Sequence, residues 1–424
     1  TTFILTIQRP SVNKKMKFKI TRRAIQLPAV PYYGVQDGGV GYLNLNSFTT
    51  GCAKDVRRAF LDMKKQGMTS LVFDLRNNGG GSLQEAVNIV NMFVPKGITL
   101  VKTVGKMERA NKEYKTTVEP IDTVMPIVVL VNDETASASE ITSGSLQDLD
   151  RAVVLGTRTY GKGLVQVSMD LPYNGNLKLT SSKYYIPSGR CIQAINYKHA
   201  NGGYTEHVPD SLTHVFHTAN GREVRDGGGI KPDVEVRPDS LPNIAFYLAS
   251  SGRDSTEVMW NWELQYLKKH PTIVPAKTFV ISDADFEDFK QAVLKSGFKY
   301  DRESKKYLEN LVKLAKFEGY YDDAKGEFDA LEKKLNHNLA KDLDYNKQTL
   351  KKVLTSDLVS AYYYQKGSLE NSLQFDKQWK KAVEILKKPA EYKKLLQPVV
   401  GQPLVKLEPA SNVAVDKKQK SKAK

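Results

Sequence analysis

The stretch Pro126–Gly144, PIVVLVNDETASASEITSG, decides how this chain reads. Its first half, PIVVLV, carries no charge and does not alternate polar with apolar residues, as a strand buried on both faces does not. Its second half changes character at Ser137. There Ser137-x-x-Glu140 has the spacing of a capping box, in which the serine hydroxyl accepts an amide of the first helical turn and the glutamate reaches back. A buried strand that turns directly into a helix is the building unit of an α/β protein.

The same unit recurs on either side. TSLVFDLR (69–76) is a second buried strand, and it passes through NNGGG into the helix SLQEAVNIVNMFV (82–94). Upstream, VGYLNLNSF (40–48) alternates as a strand, and AKDVRRAFLDMKKQG (53–67) is an amphipathic helix stopped by Gly67. Downstream, RAVVLG, LVQVSMDL and LKLTSSKYYI are strand-like. Residues 36–238 therefore read as one α/β core. After GGGIKPDVEVRPDSLP the texture changes. Phe286, Phe289 and Val293 fall at helical spacing, as do Leu308, Leu311, Val312 and Ala315, and then Phe328, Leu331, Leu335 and Leu339. Residues 239–410 are expected to be mainly α-helical, and 411–424 (SNVAVDKKQKSKAK) a disordered basic tail. Residues 1–9 alternate like the last strand of a preceding module, and 10–35 read as a linker containing a strand. The opening TTFILTIQR is expected to be the inside of a longer protein.

Composition narrows the function. With 424 residues, 40% hydrophobic and 26% charged, the chain can bury more than one core. The net charge of +16 comes mostly from the lysine-rich second half. Aromatic residues do not interleave with the basic clusters as a nucleic-acid stacking platform requires, so a solvated basic surface is expected and no nucleic-acid partner. No apolar run reaches the roughly 18 residues of a membrane-spanning helix. Cys52 and Cys191 are far apart in sequence and read as packed or free thiols.

The chemistry sits where the strand meets the helix. Thr135, Ser137 and Ser139 alternate with Ala136 and Ala138. A serine at a helix start is ordinarily a cap. Ser137, however, lies just past the carboxyl end of a buried strand, where α/β proteins place their sites. Its alanine neighbours leave room for a substrate backbone, and the Ala138 amide at the helix mouth suits a developing oxyanion. A serine nucleophile needs a base. Of the six histidines, His270 among them, the four His199, His207, His214 and His217 crowd a polar segment without a zinc pattern, so loop or surface roles are expected for these four, and His337, off the leucine stripe of its helix, is expected to face solvent. Lys162, flanked by Gly161 and Gly163 in GTRTYGKGLVQV, is the other candidate base. The two glycines remove bulk beside the amine, and desolvation would lower its pKa toward neutrality. Gln166, at the same strand parity as Lys162, is placed to aim it. Gly156-x-x-x-x-Gly161-Lys162 also opens like a phosphate-binding loop, but Gly163 stands where Ser or Thr should, and a strand rather than a helix is expected next. In DLRNNGGGSLQ, Gly80 could present an unobstructed amide as a second oxyanion donor opposite Ala138.

Together, DLRNNGGG, TASASEI and GKGLVQ resemble the motifs of the C-terminal processing (tail-specific) serine peptidases: D-L-R-x-N-P-G-G, S-A-S-A-S-E and G-K-G-x-V-Q. SSKYYIPSGRCIQ and GGGIKPDVEV match later segments of that family. The departures are Gly79 in place of the proline and Thr135 in place of the first serine. The resemblance implies a crotonase/ClpP-like α/β peptidase core over 36–238. It makes Ser137 the nucleophile, Lys162 the base, Gln166 its support, and Gly80 and Ala138 the oxyanion hole. It implies that 1–35 hold the end of a PDZ-like module and that the helical region is a C-terminal extension without a catalytic part, as in some bacterial members, plausibly of the Bacteroides group. The substrates implied are polypeptides with unstructured C-terminal segments, in the periplasm or envelope, with no cofactor and no metal, and with a homo-oligomer or an adaptor protein left open. The competing readings are a catalytically silent polypeptide-binding scaffold and, more remotely, a P-loop nucleotide hydrolase.

Overall fold

The structure, a computed structural model, describes residues 1–9, 12, 14–25, 27–194, 210–250, 256–335 and 338–398. An antiparallel hairpin of β1 (Thr2–Ile7) and β2 (Met16–Thr21) comes first. The α/β region follows with β3 (Tyr32–Gln36), β4 (Val40–Asn44), α1 (Cys52–Lys65), β5 (Ser70–Asp74), α2 (Leu83–Val90), β6 (Thr99–Gly105) and β7 (Lys112–Lys115). It continues with β8 (Ile127–Val131), α3 (Ala138–Asp148), β9 (Val153–Gly156), β10 (Leu164–Leu171), β11 (Gly175–Tyr185), β12 (Val215–His217), β13 (Glu223–Arg225) and β14 (Val234–Glu235). The helical region comprises α4 (Asn243–Ala249), α5 (Val258–Lys269), α6 (Asp283–Ser296), α7 (Glu303–Glu318), α8 (Lys325–Lys334), α9 (Leu339–Tyr345), α10 (Lys347–Ser372), α11 (Lys377–Leu386) and α12 (Pro389–Leu395). The expected α/β core with a mainly helical C-terminal region is what the chain forms.

The central sheet has the order β14-β9-β8-β5-β4-β3 and is parallel except where β3 meets β4. Every residue of β5, β8 and β9 is buried, which explains their unbroken apolar sequences: a parallel sheet must be covered on both faces. One face is covered by α1, α2 and α3, with Phe60, Met63, Val87, Phe93 and Ile141 in its core. The other face is covered from far along the chain. Trp379, Ala382, Ile385 and Leu386 of α11, with Tyr392 of α12, pack on Tyr42, Val72, Val128, Leu130 and Val153. Trp379 meets the Tyr42 ring edge-on at 5.5 Å. The Tyr392 hydroxyl both accepts from the Ile127 amide at 3.0 Å and donates to its carbonyl at 3.1 Å.

This arrangement differs from a division of the chain near residue 239. α4 to α6 gather with α9 and α10 around their own cluster, including Trp262, Phe286, Phe289, Leu343 and Leu358. α11 and α12 instead return to finish the peptide sheet. Helical spacing along a chain does not say which surface an apolar stripe meets, and that of α11 meets the sheet. The Phe286–Phe289–Val293 stripe is fully buried, whereas along α7 only Ala315 is. The second sheet, ordered β10-β11-β6-β7, carries a long hairpin of β10 and β11 whose base adjoins the loops described next.

Candidate active site

β5, β8 and β9 are adjacent and parallel, so the loops leaving their carboxyl ends emerge side by side. Those loops are DLRNNGGG, DETASAS and GTRTYGKG. Hydrogen bonds stitch the first two together. The Ala136 amide donates to the Asn78 carbonyl at 3.0 Å, and the Asn132 side chain pairs with Asn77 through both its amide oxygen and nitrogen. Thr135 Oγ1 donates to the Leu75 carbonyl at 2.9 Å, and Ser139 Oγ to the Asn78 carbonyl at 2.8 Å. Both of these hydroxyls are fully buried. The three alternating hydroxyls of the sequence are thus unequal: two fasten the loop, and Ser137, between them, is only half-buried.

Ser137 also has the unusual backbone. Its φ of 57° and ψ of −116° lie outside the regions an L-residue prefers, at a cost of about 1–3 kcal/mol. An ordinary capping residue sits in the extended region instead, as Ser282 does at the start of α6 with φ −70° and ψ 167°. The Ser137 carbonyl accepts from the Ile141 amide and so still begins α3. The Ala138 amide, in the first turn, has no partner among the described residues.

Glu140 explains how the strain is held. It is completely buried and accepts four hydrogen bonds. Oε2 takes the Ser137 amide at 2.8 Å and the Lys162 amide at 2.9 Å, and Oε1 takes the Thr159 hydroxyl at 2.6 Å and the Gly161 amide at 2.7 Å. Complete burial pushes its carboxyl pKa upward, against these four donors that favour the charged form. One carboxylate oxygen therefore separates the main chains of Ser137 and Lys162. Tyr184 adds a second bridge: its buried hydroxyl donates to the Lys162 carbonyl at 2.5 Å and lies 3.3 Å from the Ser137 carbonyl. Sequence reading assigned Glu140 only a capping part and Tyr184 none. The glutamate in S-A-S-A-S-E was the available signal, and the tyrosine in SSKYYI had no signal beyond its place in a strand.

The side chains themselves are less engaged than the main chains. Lys162 and Gln166 are both half-buried. Among the described residues no hydrogen bond joins the Ser137 hydroxyl to the Lys162 amine, or that amine to Gln166. Lys162 precedes β10 rather than lying in it, so the parity expected to align it with Gln166 does not apply. The flanking glycines also serve a different purpose from clearing space for the amine. A Cβ on Gly161 would stand 2.4 Å from the Ala194 Cβ, and one on Gly163 would stand 2.8 Å from the Gln193 amide. Both glycines let the 193–194 segment pack against the loop. Gly163 also donates its amide to Gln193 Oε1 at 2.6 Å.

Gly80 lies where the sequence placed it, against the serine. With φ of 96°, a Cβ there would stand 2.6 Å from the Ala136 carbonyl oxygen and 2.8 Å from both the Ala138 nitrogen and the Ser137 Cβ. Its amide, however, is not unobstructed, because it donates to Asn78 Oδ1 at 2.9 Å. Asn78 is fully buried and gives its Nδ2 to the Leu45 carbonyl at 2.6 Å. The phosphate-loop reading falls: the segment after Lys162 is the strand β10, and the Gly156 Cα nearly touches the β8 backbone, since a Cβ there would stand 1.9 Å from the Val131 oxygen. His214 is exposed beside Asp226, His217 ends β12, and His270 stacks on Tyr266 at 4.2 Å, all apart from Ser137 in the sequence and unbonded to it. His199, His207 and His337 lie outside the described residues. Cys52 and Cys191 are free.

Arg76 ties this region to the C-terminal helices. It is ion-paired with Asp74 and, at 2.7 Å, with Asp376, and it donates to Gln378 Oε1 at 2.8 Å. The loop that holds Gly80 therefore rests on the start of α11.

Comparison with known proteins agrees with these observations. Residues 39–199 match Peptidase family S41, and residues 247–386 match the C-terminal helical domain of a probable PDZ-protease. A carboxy-terminal-processing protease of Bartonella bacilliformis is 39% identical over 199 residues, 46% of this chain and 45% of that protein. A probable CtpA-like serine protease of Staphylococcus aureus is 31% identical over 316 residues, 73% of this chain and 51% of that protein. The chain thus spans about half the length of the curated relatives it matches. Among solved structures, a photosystem II D1 C-terminal processing protease is 27% identical, with a TM-score of 0.38 over 57% of each chain. With its three motif loops gathered at the carboxyl ends of three neighbouring strands and its helical region matched in turn, the chain belongs to peptidase family S41.

Proposed function

We propose that this protein is a serine endopeptidase that works through Ser137 and Lys162 and an acyl-enzyme. The observation that carries the reading is Ser137 itself. It is a half-buried serine in a strained conformation at the mouth of α3, with its amide and that of Lys162 on a single Glu140 oxygen. Strain of this kind persists only where the surroundings over-determine it, and here they do so at the half-buried hydroxyl that stands between two fully buried ones.

In the mechanism, neutral Lys162 accepts the Ser137 proton as the hydroxyl attacks a peptide carbonyl. The Ala138 amide, unpartnered and at the positive end of α3, donates to the oxyanion. The Gly80 amide becomes a second donor by exchanging Asn78 Oδ1 for the substrate oxygen. Lys162 then protonates the leaving amine, and water releases the acyl group. Gln166 orients the amine once the side chains close up, since catalytic hydrogen bonds commonly tighten only in the substrate complex. The substrates are polypeptides with unstructured C-terminal segments, met in the periplasm or envelope. The hairpin β1–β2 is the end of a PDZ-like module. No helix among the described residues is long and apolar enough to cross a membrane.

The absence, among the described residues, of a hydrogen bond between the Ser137 and Lys162 side chains favours a second reading, a silent scaffold with the same cleft. Incubation with an unfolded polypeptide separates the two. The peptidase reading requires cleavage by the wild type and none by Ser137→Ala or Lys162→Ala with folding retained. Cleavage at the wild-type rate by either variant would refute it.

A further inference from the structure

The helical region holds a cavity of about 690 Å³ between α5, the end of α4 and α10. Its volume is within the usual range for a ligand pocket of ~300–1,000 Å³. Its wall is mostly aliphatic, with Leu248, Met259 and Leu358 among the lining residues. Three carboxyl groups interrupt that wall, among them Glu257 at the start of α5, which is exposed. Asp357 of α10 stands at the open side. Glu263 of α5 is only 8% exposed, and its Oε1 is buried without a hydrogen-bond partner among the described residues. A buried carboxyl in that condition is costly, and a fold tolerates it when something else is to satisfy it.

The three acids set the sign of the missing partner, and the aliphatic wall sets its stem. A primary ammonium on a straight alkyl chain fits both: the chain lies along the leucines while the cation meets the carboxyls. Trp260 fixes the rest. It lines the mouth, is 56% exposed, and extends the apolar surface beyond the cavity. A free amine has no use for that extension, whereas the residues flanking a lysine in an apolar peptide do. We infer that this cavity binds a lysine side chain presented in an apolar stretch of polypeptide, at a site separate from Ser137. Burial, reinforced by the nearby Asp357 charge, lifts the Glu263 pKa to about 8, so the carboxyl is largely protonated until a cation arrives.

The test is calorimetric titration of the full chain with two capped pentapeptides, one with lysine among leucines and one with norleucine in its place. The lysine peptide is expected to bind at least tenfold more tightly than the norleucine peptide. Glu263→Gln should remove that advantage and leave norleucine binding unchanged. Asp357→Asn, at an exposed position, should weaken lysine binding by a smaller factor without affecting folding. Equal binding of the two peptides, or an undiminished lysine preference in both variants, would overturn the inference. Neither readout depends on peptidase activity.

Discussion

Two buried glutamates mark the two halves of this molecule, and they are opposites. Glu140 in the α/β core accepts four hydrogen bonds from two segments of chain. Glu263 in the helical region has an oxygen with no hydrogen-bond partner among the described residues. Burial raises the pKa of both carboxyls. In the core, the surrounding donors turn that expensive group into a clamp that fixes one loop against another. In the helical region, no donor among the described residues offsets burial at Glu263 Oε1, and the group remains available to an incoming cation. The same residue type therefore serves geometry in one place and recognition in the other.

Breaking the clamp should give the largest effect. Glu140→Ala strands four buried donors, and unfolding in urea should show a loss of about 3 kcal/mol or more. Glu140→Gln keeps the volume but turns an NH₂ toward donors. Its kcat should fall by about a hundredfold or more with KM little changed, since a misplaced reacting group costs on this order. A wild-type kcat in Glu140→Gln would remove the glutamate from its positioning role.

Next in size is Gly80→Ala. The added methyl meets the Ala136 oxygen at 2.6 Å and the Ala138 nitrogen at 2.8 Å, on a backbone with φ of 96°. Overpacking of this kind costs about 1–3 kcal/mol, and peptidase activity should be lost because the methyl occupies the space beside the Ala138 amide. Retention of activity would show that the oxyanion is held elsewhere.

The contrast in the helical region is sharpened by pH. The Glu263 pKa in the fold is raised from the ordinary 4.5 to about 8, so folding favours the protonated form. That contribution is fully present below about pH 4.5 and is lost as pH rises through about 8. Glu263→Gln should therefore melt at a higher temperature than wild type at pH 9 and show little difference at pH 4.5. Melting curves that shift in parallel with pH in both proteins would contradict this.

Thr135→Ser should do least. It preserves the hydroxyl that reaches the Leu75 carbonyl and removes one buried methyl, at about 1 kcal/mol, with kcat unchanged. A large fall in kcat would mean that Thr135 does more than fasten its loop.

Much of this arrangement was legible in the sequence. The apolar runs PIVVLV and LVF have no polar face because the sheet is covered on both sides, and adjacent parallel strands then bring DLRNNGGG beside TASASE. What the sequence hid was of two kinds. Contacts between distant segments, such as Tyr184 against Ser137 and Trp379 on Tyr42, leave no local pattern. Nor does backbone conformation: Ser137 has the spacing of an ordinary cap, and its φ of 57° and ψ of −116° separate it from Ser282. The glycines around Lys162 were legible as necessary but not for the right reason, since their neighbours at 193–194 come from another part of the chain.

The dependence of Ser137 on Lys162 is tested most directly by mass spectrometry after brief exposure to a fluorophosphonate. The account predicts one adduct per chain, located on the peptide containing Ser137, and at least a hundredfold slower labelling in Lys162→Ala. Labelling of that variant at the wild-type rate, or an adduct confined to another serine, would contradict it.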